Sequence, residues 1–177
     1  MDKQSLIGLA YCSTASFASG KDRQGVDPEL SRILILSRRN NRQREIGGVL
    51  HFGNGYFFQY LEGNMDQVDA LYGRICRDNR HTEVVQLVRR PLSSRLFADW
   101  SMKFVAIEEV IERVLRKHGK HDFNPYHFTP EVIDDLLTAC VHGDDVGDAL
   151  IAGSAQPSAK KATSGWRSRL KQLIGLR

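Results

Sequence analysis

The chain has 177 residues, 41% hydrophobic and 26% charged, which is an ordinary soluble composition with enough length for one sizeable core. No apolar run approaches the roughly eighteen residues of a membrane span, and the first apolar stretch turns polar too soon for a secretory signal. The net charge of +4 is local: from Ala155 onward there are six cations and no acid, so residues 1–154 carry 19 cations against 21 acids and no nucleic-acid binding is expected of them.

Leu6–Tyr11 reads as a buried strand, followed by the polar loop TASFASGKDRQGVD. Asp27 before Pro28 predicts an N-cap with proline at the first helical position. Leu30, Ile33, Leu34 and Leu36 then stripe a helix that runs to about Asn40 and ends in cations. Ile46–Phe52 and Tyr56–Glu62 read as strands joined through Gly53-Asn54-Gly55, the composition a type I′ hairpin turn demands because both central residues need positive φ. Val68, Leu71, Tyr72 and Ile75 recur at helical spacing, and further strands are expected at Val84–Arg90 and Trp100–Ile107. A helix over 107–118 has Glu108, Glu109 and Glu112 early and Arg116, Lys117 and His118 late, as the helix dipole favours. Thr129-Pro130 opens another helix to about Val141. Gly153–Gly165 reads as a flexible linker and 166–176 as a short basic amphipathic helix.

This order, β-α-β-β-α-β plus one strand, predicts an α+β, ferredoxin-like sheet with two helices on one face, followed by C-terminal helices. The expected division is a first domain over 1–106, a helical region over 107–153 and a basic tail over 154–177. Cys12, Cys76 and Cys140 are isolated, odd in number and without metal-ligand spacing, so no metal site is expected and a reducing, cytoplasmic setting is.

Three polar groups stand where such a core wants apolar ones. Tyr11 lies in an apolar strand, Gln59 interrupts Tyr56-Phe57-Phe58-Gln59-Tyr60-Leu61, and Asn40-Asn41 ends the first helix. A buried amide without a partner costs on the order of 1–3 kcal/mol, so Gln59 requires one. Read singly, each has an ordinary explanation: an edge position, a core tyrosine, a helix terminus. Read together with their neighbours, six blocks resemble the BLUF family in order. They are Tyr11-x-Ser13-x-Ala15, Ser37-Arg38-Arg39-Asn40-Asn41, Ile46-x-Gly48-x-Leu50, Gly55-x-Phe57-x-Gln59-x-Leu61-Glu62-Gly63, Arg77-Asp78-x-Arg80-His81 and Phe97-x-x-Trp100-Ser101-Met102.

The resemblance implies a blue-light photoreceptor, not an enzyme, with FAD held noncovalently between the first two helices. It implies that Asn40 and Asn41 hold the polar edge of the flavin, and that Gln59 bridges Tyr11 and the ring as the switching amide. Tyr11 would be the photochemical donor, Asp78 and His81 would lie beside the ring and ribityl side, and Arg74 would face the phosphates. Ile33 and Ile75 would sandwich the ring, with Ser37 beside them, and Trp100 and Met102 would form the output strand. Two departures stand out: the segment after Tyr11 is about six residues longer than usual in the family, and Gly47 replaces a common Thr, which would loosen its strand. Output is expected through an unidentified protein partner or self-association as a homo-oligomer, with the basic tail available to an acidic partner or an anionic membrane. The alternatives are a flavin-free ferredoxin-like interaction or small-molecule-binding domain, and a flavin redox enzyme, for which no G-x-G-x-x-G opens a helix after a strand.

Overall fold

A computed structural model describes residues 5–17, 28–105 and 108–142. The expected N-cap Asp27, the enlarged loop, the linker and the basic tail lie outside the described residues.

The sheet runs β4-β1-β3-β2-β5, from β1 (Leu6–Ala15), β2 (Gly47–Gly53), β3 (Tyr56–Asn64), β4 (His81–Pro91) and β5 (Lys103–Phe104). The first four strands pair antiparallel and β5 joins β2 in parallel. The order is the ferredoxin-like one expected. The hairpin between β2 and β3 turns at Asn54 and Gly55 with φ of 52° and 80°, the left-handed pair that Asn-Gly supplies.

Side-chain alternation divides the sheet's residues between two cores. Ile7, Leu9, Tyr11, Leu50, Phe57 and Leu61 face α1 (Pro28–Gln43) and α2 (Met65–Ile75), whose Leu30, Leu34 and Val68 complete that core. Ala10, Val49, Phe58 and Tyr60 face the other way, onto α3 (Glu108–Lys117) and α4 (Pro130–His142), with Ile111, Leu115, Ile133, Leu136 and Leu137. The C-terminal helices therefore cover the second face of the sheet, a placement that element order alone left open.

Boundaries differ from expectation at three elements. β1 continues past Tyr11 to Ala15, with register shifts against β4 at Ala10/Tyr11 and Cys12/Thr14. α1 continues to Gln43, and its end closes as Ile46 N–H and Arg44 N–H both donate to Asn41 O at 3.0 Å. The strand expected over Trp100–Ile107 shrinks to two residues. Trp100 N–H bonds back to Phe97 O at 3.0 Å and Ser101 O is taken by the Asn41 side chain at 2.9 Å, so residues 97–102 bend before any ladder forms. An unexpected 3-10 turn, Pro125–His127, is capped by Asn124, whose side chain accepts Tyr126 N–H at 3.2 Å.

Gly47 is not a loosened position. A Cβ built there would lie 2.5 Å from the Phe97 carbonyl oxygen, so the missing side chain is what lets segment 96–97 reach the sheet. The fully buried Glu62 holds that segment by accepting Leu96 N–H at 2.9 Å and Phe97 N–H at 2.6 Å. Burial raises the Glu62 carboxyl above the usual carboxylate range, and those two donors oppose the shift.

Candidate functional site

The site is built on the α1/α2 side of the sheet, where two helices stand over the central strands with a cleft between them. A cleft of about 220 Å³ has Tyr11 from β1, Leu50 from β2, and Phe57 and Gln59 from β3 as its floor. Ile33, Ser37, Asn40 and Asn41 of α1 line one wall, and Arg74 and Ile75 of α2 with Asp78 and His81 line the other. Every residue expected to hold the cofactor thus meets at one cleft.

At the floor, β1 and β3 place Tyr11 and Gln59 directly across from each other. The side chains share the cleft-facing side of the sheet, and the Tyr11 hydroxyl donates to Gln59 Oε1. Gln59 Nε2 donates in turn to the Met102 sulfur at 3.3 Å. A thioether accepts weakly, so this amide proton has its poorest kind of partner. Burial pushes the Tyr11 hydroxyl well above the ordinary phenol range, with Tyr72, Cys76 and Asp78 adding to the rise and Arg80 opposing it. Tyr11 is therefore a neutral phenol that retains its proton.

The walls are polarised. Asn41 is buried at the end of α1; its Nδ2 donates to Ser101 O, which leaves its Oδ1 as an acceptor. His81 Nε2–H donates to Ile75 O at 3.1 Å, so Nδ1 is the acceptor for the Ser13 hydroxyl at 2.7 Å. Burial lowers the His81 pKa, in keeping with that neutral tautomer. Arg80 grips Asp78 through Nε at 2.9 Å and Nη2 at 2.5 Å, which holds the Asp78 carboxyl below the usual range.

The two residues assigned to output part company. Met102 is buried on the cleft face against Gln59. Trp100 is outside the cleft, on the opposite face, where it packs against Phe97 and lies under the Lys103 ammonium. The cleft also includes Leu36, Leu50, Phe57, Leu71, Arg44 and Arg80, to which the sequence reading gave no part in holding the cofactor. The four apolar ones carry no signal that separates a cleft wall from a core. Arg80 stood inside a quoted block, and Arg44 follows Asn40 by one helical turn and donates to its carbonyl at 3.1 Å.

These residues fit a flat heteroaromatic ring with an anionic tail. Ile33 and Ile75 offer apolar walls, Gln59 retains unused amide valence, Asn40 and Asn41 supply polar edges, and Arg44 and Arg74 bring cations to the same cleft.

Comparison with known proteins follows the same contour. The profile of the BLUF family, described as sensors of blue light using FAD, matches residues 6–103. A photoactivated adenylate cyclase subunit beta-like protein of Euglena gracilis is 34% identical over 144 residues, covering 77% of this chain and 16% of its own length. The blue light- and temperature-regulated antirepressor BluF of Escherichia coli is 30% identical over 94 residues, 50% of this chain and 23% of its own. The structure of BlsA in its photo-activated state superposes with a TM-score of 0.71 at 27% identity, over 79% of this chain and 97% of that one. The dark-state structure of the BLUF protein BlrB gives 0.63 at 27% identity, over 78% and 96%. The chain thus spans only 16% of the cyclase relative's length.

Proposed function

This chain belongs to the BLUF family, the sensors of blue light using FAD, and from that premise we propose that the α1/α2 cleft holds FAD noncovalently and that Tyr11 and Gln59 carry the light response. The observation that carries this reading is the Tyr11–Gln59–Met102 chain of hydrogen bonds on the cleft floor.

Bound there, the flavin supplies absorption of blue light and an excited state that accepts an electron and a proton. Tyr11 is suited to be the source of both, because burial keeps its proton in place. Gln59 is suited to record the event. Its amide presents an acceptor to Tyr11 and a donor to Met102; rotating it by half a turn exchanges the two. After rotation Nε2 faces the Tyr11 hydroxyl and the Met102 sulfur loses its donor. Asn40, Asn41 and Ser37 orient the polar edge, Ile33 and Ile75 enclose the ring, and Asp78 and His81 close the ribityl side. Arg74 and Arg44 provide the charge that a diphosphate needs.

Output passes, in this reading, to a protein partner or to self-association. Relatives named as a cyclase and as an antirepressor illustrate two kinds of effector, and no enzymatic step is proposed for this chain. The expected setting is cytoplasmic; among the described residues no helix is long and apolar enough to cross a membrane.

The test is a visible spectrum before and just after blue light. An oxidised-flavin spectrum that shifts slightly to the red and recovers in the dark is the expected result, with Gln59→Leu and Tyr11→Phe abolishing the shift. A colourless protein that takes up no FAD refutes the proposal.

A further inference from the structure

Lys103 is the only buried lysine or arginine among the described residues, at 1% exposure, although an apolar side chain would pack there at less cost. Its ammonium donates to Val141 O at 3.1 Å, in the last turn of α4, and lies 4.4 Å from the centroid of the Trp100 ring. The indole face adds a second attraction.

The neighbour of Lys103 in sequence is Met102, the residue that receives the Gln59 amide proton. Alternation sends the two side chains through opposite faces: Met102 and Phe104 into the α1/α2 core, Lys103 and Val105 toward α3 and α4. β5 is the thinnest element of the sheet, pairing only Lys103 with Val49 and Phe104 with Leu50. This short strand is held on one side by Gln59 through Met102 and on the other by α4 through Lys103, so it links the two across the sheet.

We propose that Lys103 is the positioning residue that couples the hydrogen-bond state of Gln59 to the last turn of α4. This rests on the light-driven change at Gln59 proposed above. When Met102 loses its Gln59 donor, β5 shifts, the Lys103–Val141 bond lengthens and the turn of α4 around Val141 loosens.

The test is hydrogen–deuterium exchange on the flavin-loaded full chain, dark and illuminated, with the absorption spectrum recorded on the same sample. In the unsubstituted protein, light speeds exchange of residues 138–142 more than that of α3. In Lys103→Met the red shift persists, dark exchange of 138–142 rises roughly tenfold through loss of a charged hydrogen bond, and light adds nothing further. Lys103→Arg keeps the cation and restores the light-dependent difference. A Lys103→Met chain with the original light–dark difference overturns the proposal. So does an unsubstituted chain that shifts red with no greater response in 138–142 than in α3, a measurement that decides the matter even where Lys103→Met fails to fold. An unsubstituted chain with no red shift removes the premise, and the proposal with it, before exchange is measured.

Discussion

Replacing Gly47 with Thr places a Cβ 2.5 Å from the Phe97 carbonyl oxygen and 3.1 Å from its carbon, with Glu62 Oε1 at 3.3 Å. A carbon–oxygen contact relaxes at about 3.3–3.6 Å, so Phe97 must withdraw by close to 1 Å. It is not free to do so. Its N–H is held by Glu62 at 2.6 Å and its carbonyl accepts Trp100 N–H at 3.0 Å. Overpacking costs roughly 1–3 kcal/mol, and strained hydrogen bonds to a buried carboxylate add to that. A loss near 2 kcal/mol, at a urea slope of about 2 kcal/mol per molar, lowers the unfolding midpoint by about 1 M. Urea unfolding followed by circular dichroism, with both variants free of added FAD, measures it; Gly47 itself does not line the cleft. A Gly47→Thr midpoint within about 0.2 M of the original refutes the view that this glycine exists to admit segment 96–97.

Two further outcomes follow from buried titratable groups. His51 is buried and its Nδ1–H donates to Val105 O at 2.5 Å; burial lowers its pKa, so the folded state keeps it neutral while the unfolded chain protonates it below about pH 6.5. Its contribution is therefore whole above that pH and is lost as pH falls through it, at no more than about 1.4 kcal/mol per pH unit. His51→Asn, which retains a donor for Val105, should show a shallower acid slope in urea midpoints between pH 7.5 and 5.5; equal slopes refute the assignment. Of the three cysteines only Cys76 is exposed, while burial pushes Cys12 to about 11 and Cys140 to about 12. A thiol reagent at mildly alkaline pH should thus modify one sulfur per native chain quickly, and fast modification of all three shows that the cores are open.

Local chemistry determined much of this protein in advance. Pro28, Asn54-Gly55 and Thr129-Pro130 mark helix starts and a hairpin turn with signals that act over a few residues, and the structure places its elements there. Tyr11, Gln59 and Asn41 each had an ordinary explanation when read singly; the resemblance singled them out, and the structure brings all three to one cleft. Tertiary structure alone decided what depends on residues distant in sequence coming together. The strand expected over Trp100–Ile107 was cut to two residues by bonds to Asn41 and Phe97, which periodicity does not register. Gly47 looked like a weakness and is a point of close approach to Phe97, fifty residues on in the chain. Trp100 and Met102, two residues apart, occupy opposite faces, because a bend rather than a regular strand leads into β5. Lys103 carried no signal as a surface-type residue in the sequence, and its burial between an indole and α4 arises only once α4 has docked on the second face of the sheet.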